Sequence, residues 1–192
     1  MKRIFVINGN PKTTSLCRSL TEAYVEGARA SGHEVSETHL SALDFQAISR
    51  EGYGNLQDLE PDLVHLQDKI REAAHLVFVY PVWWGSVPAL LKGVLDRVFL
   101  PHFAFKYQKG SPFPKQLLTG KSARLIVTMD TPPWYYKLVY GAPSHKMMKR
   151  TVLEFCGIKP VKITEFGPVL NSHEKTRIKW LAKARELGTG GA

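Results

Sequence analysis

The 192-residue sequence holds only two cysteines, Cys17 and Cys156, far apart and in no CxxC arrangement, which excludes a disulfide framework and a paired-thiol centre. It has no apolar run near the roughly 20 residues that a membrane-spanning helix needs. Its first residues, MKRIFVING, pass from two basic side chains straight into a β-type run without an apolar leader segment. The expectation is a soluble, cytoplasmic, reduced protein. The seven histidines form no HxH or HExxH pair, so no metal site is expected. There is no GxSxG elbow for a hydrolase and no GxGxxG after the first strand for direct dinucleotide binding. Gly120, Lys121 and Ser122 imitate the end of a P-loop, but Lys115 stands where its first glycine belongs and the triplet precedes a strand.

Acidic residues are scarce in one half only. Residues 97–192 carry 17 Lys and Arg against 5 Asp and Glu, whereas residues 1–96 carry 9 against 12. Such asymmetry either draws anionic ligands, partners or lipid headgroups to the C-terminal half or is a basic solvated surface. No reading motif or basic helix stripe accompanies it, so a nucleic-acid partner is not expected.

What is present is an alternation of strands and helices. Ile4–Asn8 is a short apolar run, followed from Ser15 by Leu16, Leu20, Tyr24 and Ala28 at helical spacing. Glu34–Leu40 reads as a mostly polar edge strand, and residues 44–61, with Gly52, Gly54, Asn55 and Pro61, as a long excursion. Leu59, Leu63, Leu66, Ile70 and Ala73 mark a second helix. Leu76–Tyr80 and Leu125–Met129 are continuous apolar runs, as expected of parallel strands covered on both faces. Pro88 opens a helix bearing Leu91, Val94, Leu95, Val98 and Phe99, and a further helix is expected near 145–156, ended by Gly157. Val161–Phe166 is the fifth strand; Ile178, Trp180, Leu181 and Ala184 mark a last helix before a small-residue tail from about residue 188. The fold class is therefore α/β: one domain over 1–192, a five-stranded parallel sheet with helices on both faces. Ligands of such sheets bind beyond the strand C-termini, where the strand order reverses. That makes suspects of three loops, at 8–15, 80–87 and 128–143.

The first, NGNPKTTS, joins hydroxyls from Thr13, Thr14 and Ser15 to a helix N-terminus, with Lys12 and Arg18 adding charge. This is an anion site for a phosphate, although a Ser15 N-cap without ligand uses the same residues. The second, PVWWGS, sets Trp83 and Trp84 directly after a buried strand. Flat aromatic walls suit a flat ring whose polar edge the backbone amides of 82–85 can reach, and a core or interface role suits the same pair. The third, TMDTPPWYY, offers Trp134, Tyr135 and Tyr136 as one side of an apolar slot, or as a self-packed surface loop.

The stretch PVWWGSVPALLKGVLDRVFLPHFAFKY has a P-x-x-W/F-x-G-x-P-A-x-L-K-G core, a D-R-V-F helix end and an F-A-F pattern in register. With the three loops, it resembles the flavodoxin-like NAD(P)H:quinone oxidoreductases over nearly the whole chain, Lys2 to about Gly188. The resemblance implies a flavodoxin-like three-layer fold and bound FMN, or FAD, with FMN favoured by similarity to the shorter members. NAD(P)H is the implied hydride donor and a quinone or similar acceptor the second substrate, in ping-pong order. It implies that Asn10, Thr14, Ser15, Leu16 and Cys17 bind the flavin phosphate. Pro81, Val82, Trp83, Trp84 and Gly85 would pack on and hydrogen-bond the isoalloxazine, and Thr128, Met129, Asp130 and Thr131 would make its third contact. Phe105, Tyr107 and Trp134 would line the substrate pocket, some residues of it reaching in from the partner of a homodimer with shared sites. Tyr135 or Tyr136 is the expected proton donor to the developing hydroquinone.

Three departures from the family pattern stand out. Asn10 replaces a common histidine, Leu16 and Cys17 replace Phe and Asn, and the usual T-T-G-G-like turn is Thr128-Met129-Asp130-Thr131 followed by two prolines. Asp130 is thereby expected to bring a negative charge near the ring, and the buried histidine usual after this loop has no obvious counterpart, His145 lying a few positions off. The short bacterial flavoproteins associated with potassium efflux resemble the chain too. They imply an alternative: a flavin-binding regulatory subunit docking on a membrane transporter through the basic half.

Overall fold

A computed structural model describes residues 1–50, 52 and 57–191; Gly54 and Asn55 of the expected excursion lie outside them. The strands are β1 (Arg3–Asn8), β2 (Glu34–His39), β3 (His75–Pro81), β4 (Phe105–Lys106), β5 (Lys115–Gln116), β6 (Ser122–Thr128) and β7 (Val161–Phe166). The helices are α1 (Leu16–Ala30), α2 (Pro61–Glu72), α3 (Ala89–Val98), α4 (Pro133–Leu138), α5 (Pro143–Lys146) and α6 (Glu174–Gly190). Five strands form one parallel sheet in the order β2-β1-β3-β6-β7. The edge strand β2 is the half-exposed, polar one, as its sequence requires.

Period-two alternation splits the apolar runs between two cores. Ile4 and Val6 of β1, with Val77 and Val79 of β3, face Leu20, Tyr24 and Ala184 of α1 and α6. Phe5 and Ile7, with Leu76 and Phe78, face Leu63, Leu66, Leu91 and Val94 of α2 and α3 on the other side. The chain leaves β1 outward to β2, then returns across it to β3. The connections after β1 and β3 consequently part on opposite faces and open a crevice between the two strand ends, the reversal point where such sheets bind ligands.

The loop after α3 contains a small antiparallel pair, β4 with β5, which the short segment between Pro101 and Gln116 gave no periodicity to reveal. The helix expected near 145–156 starts at Pro143 and widens into a π-helix over Met147–Glu154. Within the expected third loop the Pro132-Pro133 pair starts the short α4, since proline's fixed φ suits a first helical turn. The last helix does not stop before the GTGGA tail but runs on to Gly190.

That extension has a packing cause. A Cβ on Gly188 would sit 2.1 Å from the Tyr24 carbonyl oxygen, and one on Gly27 would sit 2.0 Å from that of Arg185. Two glycines, one on each helix, thus let α1 and α6 touch backbone to backbone. Gly27→Ala forces these helices apart and is expected to cost about 3 kcal/mol. For a chain of this size the melting temperature falls by about 6–12 °C, measurable by circular dichroism; an unchanged melt would show that the crossing can open freely.

The excursion before α2 is tied down from α3. Arg97, fully buried, donates to the carbonyl oxygens of Gln46 and Asp58, both at 2.6 Å, and pairs with Glu60 Oε2 at 2.9 Å.

Candidate functional site

The first loop is shaped by its own amides. Asn8 Oδ1 accepts from the Asn10 N–H at 3.1 Å, and Asn10 Oδ1 accepts from the Lys12 N–H at 2.9 Å, so two successive side-chain turns swing the backbone out of β1. Ser15 is the N-cap of α1, its Oγ accepting from the Arg18 N–H at 3.2 Å. This leaves the N–H groups of Leu16 and Cys17 without an intrahelical acceptor at the positive end of a fifteen-residue helix. The cap and the anion cradle therefore coexist. Cys17 Sγ lies 3.3 Å from Thr128 Oγ1. Burial pushes the Cys17 thiol up, against hydrogen bonds to Thr128 and Asn10, so it sits there as a thiol and not as a nucleophilic thiolate.

The second loop is a two-residue reversal. Trp83 and Ser86 exchange hydrogen bonds of 3.0 and 2.9 Å, and between them Trp84 and Gly85 both have left-handed φ, +50° and +74°. Glycine takes that conformation freely, whereas Trp84 pays about 1 kcal/mol for it. The turn leaves the Trp84 and Gly85 N–H groups without a protein acceptor among the described residues, and it holds the Trp84 indole wholly in solvent. Val82 N–H donates to the Thr128 carbonyl at 2.7 Å, which joins this loop to the third.

The third loop is fixed on both sides. Asp130 Oδ1 accepts from the Leu170 N–H at 2.7 Å, and the Met129 carbonyl accepts from the Val169 N–H at 3.1 Å. The Tyr136 hydroxyl, buried, donates to the Gly85 carbonyl at 2.9 Å, accepts from the Ser144 N–H at 2.9 Å and lies 2.8 Å from Ser144 Oγ. Behind it His145 is buried with its ring edge-on to Tyr136 at 5.2 Å and its Nδ1 3.6 Å from Glu165 Oε1. Burial pulls the His145 pKa down, Glu165 pulls it back up in part, and Lys137, itself ion-paired to Glu165, lowers it. His145 thus stands behind Tyr136 and not in the lining of the groove, brought there because α4 and α5 fold the chain back on itself.

Two compartments result. One, of about 240 Å³, is lined by Asn10, Lys12, Thr14, Ser15, Leu16, Cys17, Pro81, Val82, Trp83, Thr128, Met129, Asp130 and Val169. The other, of about 500 Å³, is lined by Val82, Trp84, Gly85, Met129, Asp130, Thr131, Tyr136, Tyr140 and Pro143. Val82, Met129 and Asp130 belong to both, so they form one groove across the C-terminal ends of β1, β3 and β6. It is polar and cationic at the α1 end and aromatic at the other. The donor set fits a flavin: orphan N–H groups and hydroxyls for a phosphate, and a flat apolar slot with unpaired turn N–H groups for a ring with a polar edge.

All fourteen residues assigned to a cofactor in sequence line this groove. The other assignments fare differently. Tyr136 lines the larger compartment, but its hydroxyl is committed to Gly85 and Ser144, which removes it as a free proton donor and makes it a support for the 83–86 turn. Tyr135 is half-buried between Trp134 and Tyr140, at 5.6 and 5.1 Å, and it and the exposed Trp134 line neither compartment. Phe105 and Tyr107 line a separate cavity of about 200 Å³ with Lys92, Asp96 and Phe155. Within one chain they do not meet the groove. Tyr140, Pro143 and Val169, absent from the sequence reading, do line it. An aromatic shortly after Trp-Tyr-Tyr was the available signal for Tyr140; Val169 gave none.

Residues 2–187 match the model of a family described as having the flavodoxin-like fold. Among curated proteins, the chain is 31% identical over 183 residues to NAD(P)H dehydrogenase (quinone) 1 of Cavia porcellus, covering 83% of this chain and 66% of that protein. The chain therefore spans just under two thirds of that relative's length. It is 28% identical over 217 residues to ribosyldihydronicotinamide dehydrogenase (quinone) of Homo sapiens, covering 98% of this chain and 91% of that one. Among solved structures, Smu.1420 from Streptococcus mutans UA159 superposes with a TM-score of 0.83 at 29% identity, covering 98% of this chain and 99% of that one.

Proposed function

Since the chain belongs to this flavodoxin-like fold family, with NAD(P)H and ribosyldihydronicotinamide dehydrogenases (quinone) among its relatives, we propose that it is a flavin-dependent oxidoreductase acting between NAD(P)H and a quinone-type acceptor. The observation that carries the reading is the continuous groove: three strand-end loops, an N–H-rich helix start at one end and an aromatic compartment at the other. When bound, the flavin supplies the redox chemistry, taking a hydride from the nicotinamide and delivering it to the acceptor.

The chain's own residues then bind, orient and exclude water. Thr14, Ser15 and the Leu16 and Cys17 N–H groups hold the phosphate, with Lys12 screening its charge. The single small polar compartment suits a ribityl phosphate and favours FMN over FAD. Val82 and Trp83 would flank the ring, and the Trp84 and Gly85 N–H groups would be donors for its polar edge, the turn being kept in place by Tyr136. One aromatic compartment opens on the groove, so nicotinamide and acceptor use it in turn, the basis for a ping-pong order.

A homodimer completes the reading. Trp84 is wholly exposed beside the groove, while Tyr107, exposed, and Phe105 stand on a separate face that the chain's own groove does not use. A second copy that brings Tyr107 to the groove would cover both exposed rings, Trp84 and Tyr107, while Phe105 is already buried within one chain.

The test is the visible spectrum of the purified protein before and after addition of FMN. A visible flavin absorption band is expected. It should bleach with NAD(P)H and return with a quinone, and chromatography of the released cofactor should give FMN. A protein that stays colourless and leaves FMN fluorescence unquenched would overturn the proposal.

A further inference from the structure

The wall shared by the two compartments contains one carboxylate. We propose that Asp130 is a specificity-determining residue of the groove: a fixed negative charge that opposes reduction of the ring bound beside it and turns away anionic acceptors. The inference rests on the flavin reading above and concerns a position where family resemblance leads one to expect an uncharged, flexible turn.

Asp130 lines both compartments. Its Oδ1 is held at 2.7 Å by the Leu170 N–H, from a loop that is itself secured. The Val169 N–H binds the Met129 carbonyl at 3.1 Å, and Arg177 of α6 reaches the Val169 carbonyl at 3.2 Å and Ser172 Oγ at 2.8 Å. Those bonds fix where the carboxylate stands but do not neutralise it. Among the described residues Asp130 forms no ion pair and Oδ2 has no protein partner; Lys12, at the phosphate end, is the cation lining the same compartment. Adding electrons to a flavin puts negative charge on the ring, and a fixed anion at the exposed rim of the groove raises the free energy of that state by a Coulomb repulsion that solvent and salt partly screen. A second substrate carrying a carboxylate or sulfonate meets the same field as it enters the aromatic compartment.

Two variants of the FMN-loaded protein separate charge from position. Asp130→Asn keeps an oxygen to accept the Leu170 N–H and removes the charge, whereas Asp130→Ala removes both. In Asp130→Asn the two-electron midpoint potential, read by dye-coupled reduction, is expected to rise by about 30 mV, equivalent to tenfold tighter relative binding of reduced flavin. The Kd for oxidised FMN should stay within about threefold of wild type. The KM for a sulfonated naphthoquinone should drop by a larger factor than that for uncharged menadione. Asp130→Ala should show the same rise in potential together with weaker binding of oxidised FMN. An unchanged potential in Asp130→Asn, or a rise confined to Asp130→Ala, would overturn the proposal, the second by making loop position the cause. A wild-type protein that takes up no FMN would overturn the flavin reading and this inference with it; a wild type that binds FMN beside an unshifted Asp130→Asn overturns this inference alone.

Discussion

Ser15→Asp is expected to leave the chain folded while weakening FMN binding about 100-fold, near 2.7 kcal/mol. Aspartate caps a helix as well as serine does, and its charge suits the positive end of α1, so the local fold loses nothing. The phosphate would compete for that same end. Two unit charges about 4 Å apart repel by about 4 kcal/mol at the effective dielectric of a protein surface. Lys12 relieves part of this, and Arg18 rather less because it is paired with Glu22 at 3.0 Å. Ser15→Ala should behave in the opposite way, losing about 1 kcal/mol of stability with the cap while the backbone cradle keeps most of the affinity. Fluorescence titration of FMN beside thermal melts of both variants checks the pair; undiminished FMN affinity in Ser15→Asp would put the phosphate elsewhere.

Arg97→Ala is the largest stability effect expected, about 3 kcal/mol or more, because removing the buried guanidinium strands two carbonyl oxygens and the part-buried Glu60 carboxylate together. The guanidinium binds two carbonyl oxygens and the Glu60 carboxylate, and Glu60 Oε1 in turn accepts from the Gln46 N–H at 3.0 Å. Burial alone would push the Glu60 pKa up, but the hydrogen bonds from Gln46 and Arg97 outweigh it and hold the carboxyl below its ordinary value. A lowered folded pKa makes the contribution of Glu60 complete above the ordinary carboxyl range, and it is lost as pH falls through the folded value. Urea denaturation at neutral pH should show the large deficit in Arg97→Ala. At a pH acid enough to protonate Glu60, the difference between wild type and variant should narrow; a gap that did not change with pH would assign the effect to the two carbonyl contacts alone.

The parts of this molecule legible in its sequence are those written in short-range pattern. Unbroken apolar runs such as Leu76–Tyr80 and Leu125–Met129 marked covered parallel strands, the polar Glu34–His39 marked the edge, and the strand-end rule then pointed to three loops whose residues do converge. The rest depends on partners distant in sequence. Leu170 lies 40 residues beyond the carboxylate it holds, and nothing around Asp130 announces that partner. The commitment of the Tyr136 hydroxyl depends on α4 and α5 folding Ser144 back onto it, an event within a segment read as loop. The small-residue tail from about residue 188 reads as lying beyond the last helix, yet the helix runs to Gly190. Gly188 is there because a side chain would collide with Tyr24, a reason located on α1.

The three loops also set an order of events during synthesis. The groove needs the ends of β1, β3 and β6 side by side, with Val6 opposite Val77 and Val77 opposite Arg124. Such distant pairings between parallel strands form late and slowly. A growing chain that has delivered only its first loop has a helix start but no opposite wall, and the groove is not closed until Val169 has also emerged. A flavin held as proposed would therefore load onto a nearly finished fold and would not be the template around which that fold assembles.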